Sequence, residues 1–77
     1  MSRSPRITGS ELLAALTRAG FTVVRIKVSH QFLRHEDGRI TVVPIHSGDI
    51  LGQGLLHKAL RDCKMNVEDL RRLLRAG

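Results

Sequence analysis

Phe21-Thr22-Val23-Val24-Arg25-Ile26-Lys27-Val28, then Gln31-Phe32-Leu33-Arg34, then Arg39-Ile40-Thr41-Val42-Val43-Pro44 are the runs that decide the fold of this chain. They are rich in β-branched residues, which suit a pleated, half-buried surface. In the first run Val24, Ile26 and Val28 alternate with Arg25 and Lys27, so a period of two puts the aliphatics on a buried face and the cations on an open one. Ser29-His30 supplies a tight connection to the second run. Glu36-Asp37-Gly38 is a hairpin signal, because glycine tolerates positive φ and Asp can bond its own turn backbone. Pro44 stops the third run, and the reading is a three-stranded antiparallel meander.

Upstream, Thr8-Gly9-Ser10-Glu11 has the spacing of a capping box, in which hydroxyl and carboxylate each satisfy an orphan amide at a helix start. Leu12, Leu16 and Ala19 then repeat at helical spacing, widened by Leu13 and Ala15, and Gly20 is placed to end the helix. Downstream, 45–54 is a glycine-rich loop. A second helix begins near Gln53, has Leu55, Leu56, Ala59 and Leu60 repeating with helical spacing, and runs to about Cys63. After a break at Lys64-Met65, Asn66 caps a short last helix whose apolar face is Val67, Leu70, Leu73 and Leu74. Glu68 and Asp69 sit in its first turn, and Arg71, Arg72 and Arg75 lie toward the negative end of its dipole. The order predicts an α+β sandwich in one domain, 1–77, with both main helices on one sheet face and a basic face left open.

Thirteen Lys and Arg against seven Asp and Glu give 77 residues a net charge of +6. A 42% hydrophobic content with scattered charge argues for a folded globule rather than a disordered basic tail. The partner should be anionic, with nucleic acid the default because counterion release favours each phosphate contact, and an acidic protein surface second. Phe21 and Phe32 are the only aromatic residues among Phe, Trp and Tyr, which disfavours a base-stacking platform of the RRM or OB type. Cys63 stands alone, so no intrachain disulfide can form and a reducing cytoplasm is the simplest home. Met1-Ser2-Arg3-Ser4-Pro5-Arg6 lacks an apolar h-region, and no apolar run approaches the ~20 residues that span a bilayer.

His30, His35, His46 and His57 form no helical H-x-x-x-H pair and none adjoins Cys63 at ligand spacing, so no metal site is expected. The loop Gly48-Asp49-Ile50-Leu51-Gly52-Gln53-Gly54 lacks the Lys and Ser/Thr of a P-loop. His30, flanked by Lys27 and Arg34, has the chemistry to take a proton from an RNA 2′-hydroxyl while the cations hold the phosphate. Taken alone, an exposed histidine is more often ordinary surface than a catalyst. Cys63 reads as packing and His57 as decoration of a helix. His46 reads either as a residue that orders its loop through a hydrogen bond or as part of an active site, the structural role being favoured.

Taken together, Ala19-Gly20-Phe21, Ser29-His30, Asp37-Gly38-Arg39, Thr41-Val42-Val43-Pro44-Ile45-His46, Gly54 and Glu68-Asp69-Leu70 resemble the HicA family of messenger-RNA-cleaving toxins across nearly the whole chain. The resemblance implies a double-stranded-RNA-binding-domain-like α-β-β-β-α fold, metal-independent endoribonuclease activity without a cofactor, and neutralisation by a HicB-type antitoxin. It also implies a catalytic role for His30, which matches the histidine of the family's Gly-Ser-His segment. Lys27, Ser29 and Arg34 are then expected to contact RNA, with Arg25 and Arg39 as further contacts. The chain departs from the family pattern at Val28, where the family has Gly, and at Leu55, where it commonly has Thr. A β-branched residue is costly wherever positive φ is required. The alternative is a non-catalytic RNA-binding module, or an inactive toxin homologue that binds only RNA or its antitoxin. A helix-turn-helix made by the last two helices is disfavoured, because its reading helix must also bury Leu70, Leu73 and Leu74.

Overall fold

The computed structural model describes residues 4–77; Met1–Arg3 of the basic lead lie outside the described residues. The chain runs α1 (Gly9–Arg18), β1 (Thr22–Lys27), β2 (His30–Arg34), β3 (Ile40–Pro44), α2 (Gln53–Asp62) and α3 (Val67–Ala76). The strands form one antiparallel sheet in the order β1-β2-β3. This is the expected α+β arrangement. The last helix has ten residues, as do α1 and α2.

Each helix boundary has a local cause. Thr8 accepts from the Glu11 amide at 3.1 Å while the Glu11 carboxylate accepts from the Thr8 amide at 2.9 Å, closing the box at the start of α1. Asn66 and Asp69 do the same for α3, with bonds of 2.8 and 3.0 Å. Gly20 leaves α1 at φ +102°, and a Cβ there would fall 2.9 Å from the His35 ring. Glycine is therefore required both by the backbone and by its neighbour. At the end of α2 the left-handed position is taken by Lys64, at φ +54°.

Leu12, Ala15 and Leu16 of α1, Leu33 of β2, Val43 of β3, Leu56, Ala59 and Leu60 of α2, and Leu70 of α3 fill the core, together with Phe21 and Cys63. Because α1 and α2 pack over β3 and α3 packs on α1, the far strand β1 is barely covered. The alternation expected in β1 fails for this reason. Val24, Ile26 and Val28 are 59%, 63% and 92% exposed. A bulge between Val23 and Arg25 shifts the register at Val24, Ile26 lies beyond the cover of the helices, and Val28 has left the strand for the turn. Arg25 and Lys27 nevertheless fall on the open face. They pair with Phe32 and His30, whereas Leu33 and Gln31 on the opposite side pair with Thr41 and Val43 of the covered face.

Candidate active site on the open sheet face

Lys27 pairs with His30 across a connection of two residues, Val28 and Ser29. Val28 has φ +56°, and Ser29 is not among the residues of positive φ, the pattern of a type II′ turn, whose first central position favours glycine. The turn thus places a β-branched residue in the left-handed region, a strained arrangement directly before Ser29 and His30. His30 opens β2 and pairs on its other side with Pro44 of β3. The Ile45 amide then donates to the Ser29 carbonyl at 2.8 Å, so the hairpin tip is bound to the chain that leaves the sheet.

That exit chain turns at once. The Asp49 amide donates to the His46 carbonyl at 2.9 Å and Gly48 takes φ +79°, closing a tight turn over residues 46–49. The Leu51 amide donates to the Ile7 carbonyl at 2.8 Å, and Thr8 bridges Ile50, which anchors the loop's far end beside the start of α1. The result is an open cleft of about 380 Å³ whose lining includes His30, Pro44, His46, Asp49, Leu55 and Lys58. His30 enters from the sheet, His46 and Asp49 from the loop, and Lys58 from α2. The rings of His30 and His46 are exposed and make no hydrogen bond or ion pair among the described residues.

A second cleft of similar size lies further along the same face, lined by Arg25, Phe32, Arg34, Val42, Lys58 and Asp62 among others. The Arg25 guanidinium stands 5.6 Å from the centroid of the Phe32 ring, within cation–π range. Val42 and Lys58 border both clefts. Lys58 donates to Asp62 at 3.0 Å, and the Thr41 hydroxyl donates to the same carboxylate oxygen at 3.0 Å. Burial opposes ionisation of Asp62, but these two hydrogen bonds outweigh it and hold the carboxyl below its ordinary value.

His30, Lys27, Arg25 and Arg34 therefore share one face, and Ser29 lies in the turn beneath His30. Arg39 does not join them. Its guanidinium bonds Asp37 at 2.9 Å and the Cys63 carbonyl, and lies 5.1 Å from the Phe21 ring centroid. Those contacts staple the β2–β3 hairpin to the end of α2. Through its hydrogen bond, Arg39 also holds the Asp37 carboxyl below the usual range. Cys63 is buried and its thiol is pushed up to about 11 by that burial, so it stays protonated and inert. No three His, Cys, Asp or Glu gather as a metal-binding group among the described residues.

His46, Asp49 and Lys58 are the cleft residues that sequence reasoning missed or assigned to structure. The signal was present in the strand register, since pairing His30 with Pro44 brings His46, two residues on, toward the same end of the sheet. The structure is an α-β-β-β-α-α domain with a cleft bordered by two histidines at one end of the open sheet face. Residues 9–65, well over half of the chain, match the family model described as the HicA toxin of bacterial toxin–antitoxin systems. No match was found among curated proteins. The chain belongs to the HicA family, and is thus the toxin member of a toxin–antitoxin system, within a family of RNA-cleaving proteins.

Proposed function

We propose that this chain is a metal-independent endoribonuclease that cleaves mRNA with His30 as general base, and that a HicB-type antitoxin neutralises it. The observation that carries the reading is the position of His30. Its exposed ring, with no partner among the described residues, stands in a cleft at one end of a sheet face bearing Lys27, Arg25 and Arg34. A neutral imidazole there takes the proton of a ribose 2′-hydroxyl, and the 2′-oxygen attacks the adjacent phosphorus. The bond to the 5′-oxygen breaks, leaving a cyclic 2′,3′-phosphate and a 5′-hydroxyl. A positioned base of this kind contributes ~10²–10⁴-fold. Lys27, Arg25 and Arg34 hold the backbone phosphates, and the Ser29 hydroxyl lies within the turn that carries the base. Because mRNA is the substrate, the site of action is the cytoplasm.

A second reading is favoured by Val28, whose φ of +56° places a β-branched residue where the family has Gly. In that reading the turn misplaces His30, and the chain only binds RNA or its antitoxin. Incubation of the protein with a long unstructured RNA in EDTA, beside His30→Ala, separates the two. Cleavage by the wild type that leaves cyclic phosphate ends and is lost in the variant supports the nuclease; equal RNA binding by both without cleavage supports the second reading.

A further inference from the structure

We infer that His46 is the general acid of the cleavage step, donating the proton that the departing 5′-oxygen takes up. This rests on the reading of His30 as base and extends it to the other half of the reaction. Transesterification moves two protons, one off the 2′-hydroxyl and one onto the 5′-oxygen. The attacking and leaving oxygens lie on opposite sides of the phosphorus in an in-line displacement. One imidazole on one side of the phosphate serves only one of them.

The cleft meets that requirement with a second imidazole on a different wall. His30 rises from the first residue of β2, and His46 comes from the loop that follows β3. The register of His30 with Pro44 and the bond from the Ile45 amide to the Ser29 carbonyl tie the two segments together. A cleft of about 380 Å³ between them is of the size that holds a small ligand.

A purely structural role for His46 finds no support in the geometry. Among the described residues the loop is held by backbone bonds from Ile45 to Ser29, Asp49 to His46 and Leu51 to Ile7, by the bridge between Thr8 and Ile50, and by Leu51 and Ile45 packing in the core. The imidazole takes part in none of them and is exposed. The other charged or titratable groups on the cleft are His30, Asp49 and Lys58. In the cycle, His30 gains the 2′-proton as the new P–O2′ bond forms, and protonated His46 loses its proton to O5′ as the P–O5′ bond breaks. Exchange with water then restores both imidazoles.

The test uses a leaving group that needs no acid. In an RNA oligonucleotide, a linkage first shown to be cut by the wild type is replaced by a 5′-bridging phosphorothiolate, whose thiolate departs unprotonated. On the ordinary oligonucleotide, His46→Ala should lose ~10²-fold or more in the cleavage rate constant. On the phosphorothiolate it should return to within about tenfold of wild type, while His30→Ala stays slow on both. Equal loss by His46→Ala on both substrates, or no loss on either, overturns the acid role. Normal cleavage by His30→Ala would instead overturn the base assignment, and no cleavage by the wild type would overturn the nuclease reading with it. RNA affinity and thermal melting of His46→Ala should match the wild type, as expected for an exposed ring without partners; loss of either would overturn the assignment in favour of a structural role.

Discussion

At the scale of single residues, Val28 is the point of greatest conflict between side chain and backbone. A non-glycine residue held in the left-handed region costs ~1–3 kcal/mol, and branching at Cβ puts Val28 toward the unfavourable end. Glycine removes that strain but makes the unfolded chain freer by ~0.5–1 kcal/mol. Val28→Gly should therefore stabilise the protein by about 1 kcal/mol, a rise of roughly 4–8 °C in Tm for a domain of this size. Calorimetric or circular-dichroism melting checks it. An unchanged or lower Tm would show that the turn carries no strain. Because the turn sets where His30 begins β2, the same variant is expected to cleave RNA at least as fast as the wild type. Asp62 gives a second prediction. Its carboxyl is held below the ordinary value, so its contribution is fully present above the carboxyl range of the unfolded chain and is lost as pH falls through the folded value. Asp62→Asn should flatten the fall in stability between pH 5 and 3 measured by urea titration.

Among the elements, α1 and β3 approach each other closely at Gly9. Gly9, the first residue of α1, is buried, and a Cβ there would overlap the Pro44 carbonyl oxygen, with Ile45 Cδ1 3.1 Å away. Backbone cannot yield as a flexible side chain does, so Gly9→Ala must push the helix start away from the sheet. A destabilisation of about 1–3 kcal/mol is expected, read as a lower urea midpoint with an unchanged slope. Pro44 is the partner of His30, and Ile45 holds the Ser29 carbonyl. The displacement should therefore reach the cleft and slow RNA cleavage at temperatures where the variant is still folded. Thr8, next to this contact, both caps α1 and bridges Ile50 of the loop that carries His46.

For the whole molecule, the governing quantity is a charge of +6 spread over a domain with principal extents of 34 × 28 × 22 Å. Arg25, Lys27 and Arg34 concentrate part of it on the uncovered side of the sheet, while Arg18, Arg39 and Arg72 are engaged within the fold. RNA affinity should fall steeply with salt, because each phosphate contact releases condensed counterions. Replacing Arg25 and Arg34 together by Ala should reduce the slope of log K against log salt by about 1.4, at ~0.7 per contact on single strands. Arg72→Ala should leave that slope unchanged. Fluorescence anisotropy with a labelled single-stranded RNA across a salt series provides the measurement, and equal slopes for all three proteins would sink the assignment of this face.

The order of elements was legible along the chain because its causes are local. The capping residues Thr8, Glu11, Asn66 and Asp69, the helical spacing of Leu12, Leu16, Leu56 and Leu60, and the turn glycines Gly20 and Gly38 act over a few residues each, and so does the placement of Arg25 and Lys27 on one face. Only tertiary packing decided the rest. Nothing in the alternation of Val24, Ile26 and Val28 reveals that α1 and α2 cover β3 and leave β1 open, because burial depends on which distant helix lies above a strand. Arg39 looked like any other cation until the fold set Asp37, Phe21 and the Cys63 carbonyl around it. His30 and His46 stand sixteen positions apart in a sequence that treats them as unrelated. That they line one cleft depends on the register of β2 with β3 and on one amide of Ile45 closing on Ser29, long-range contacts that local residue preference does not encode.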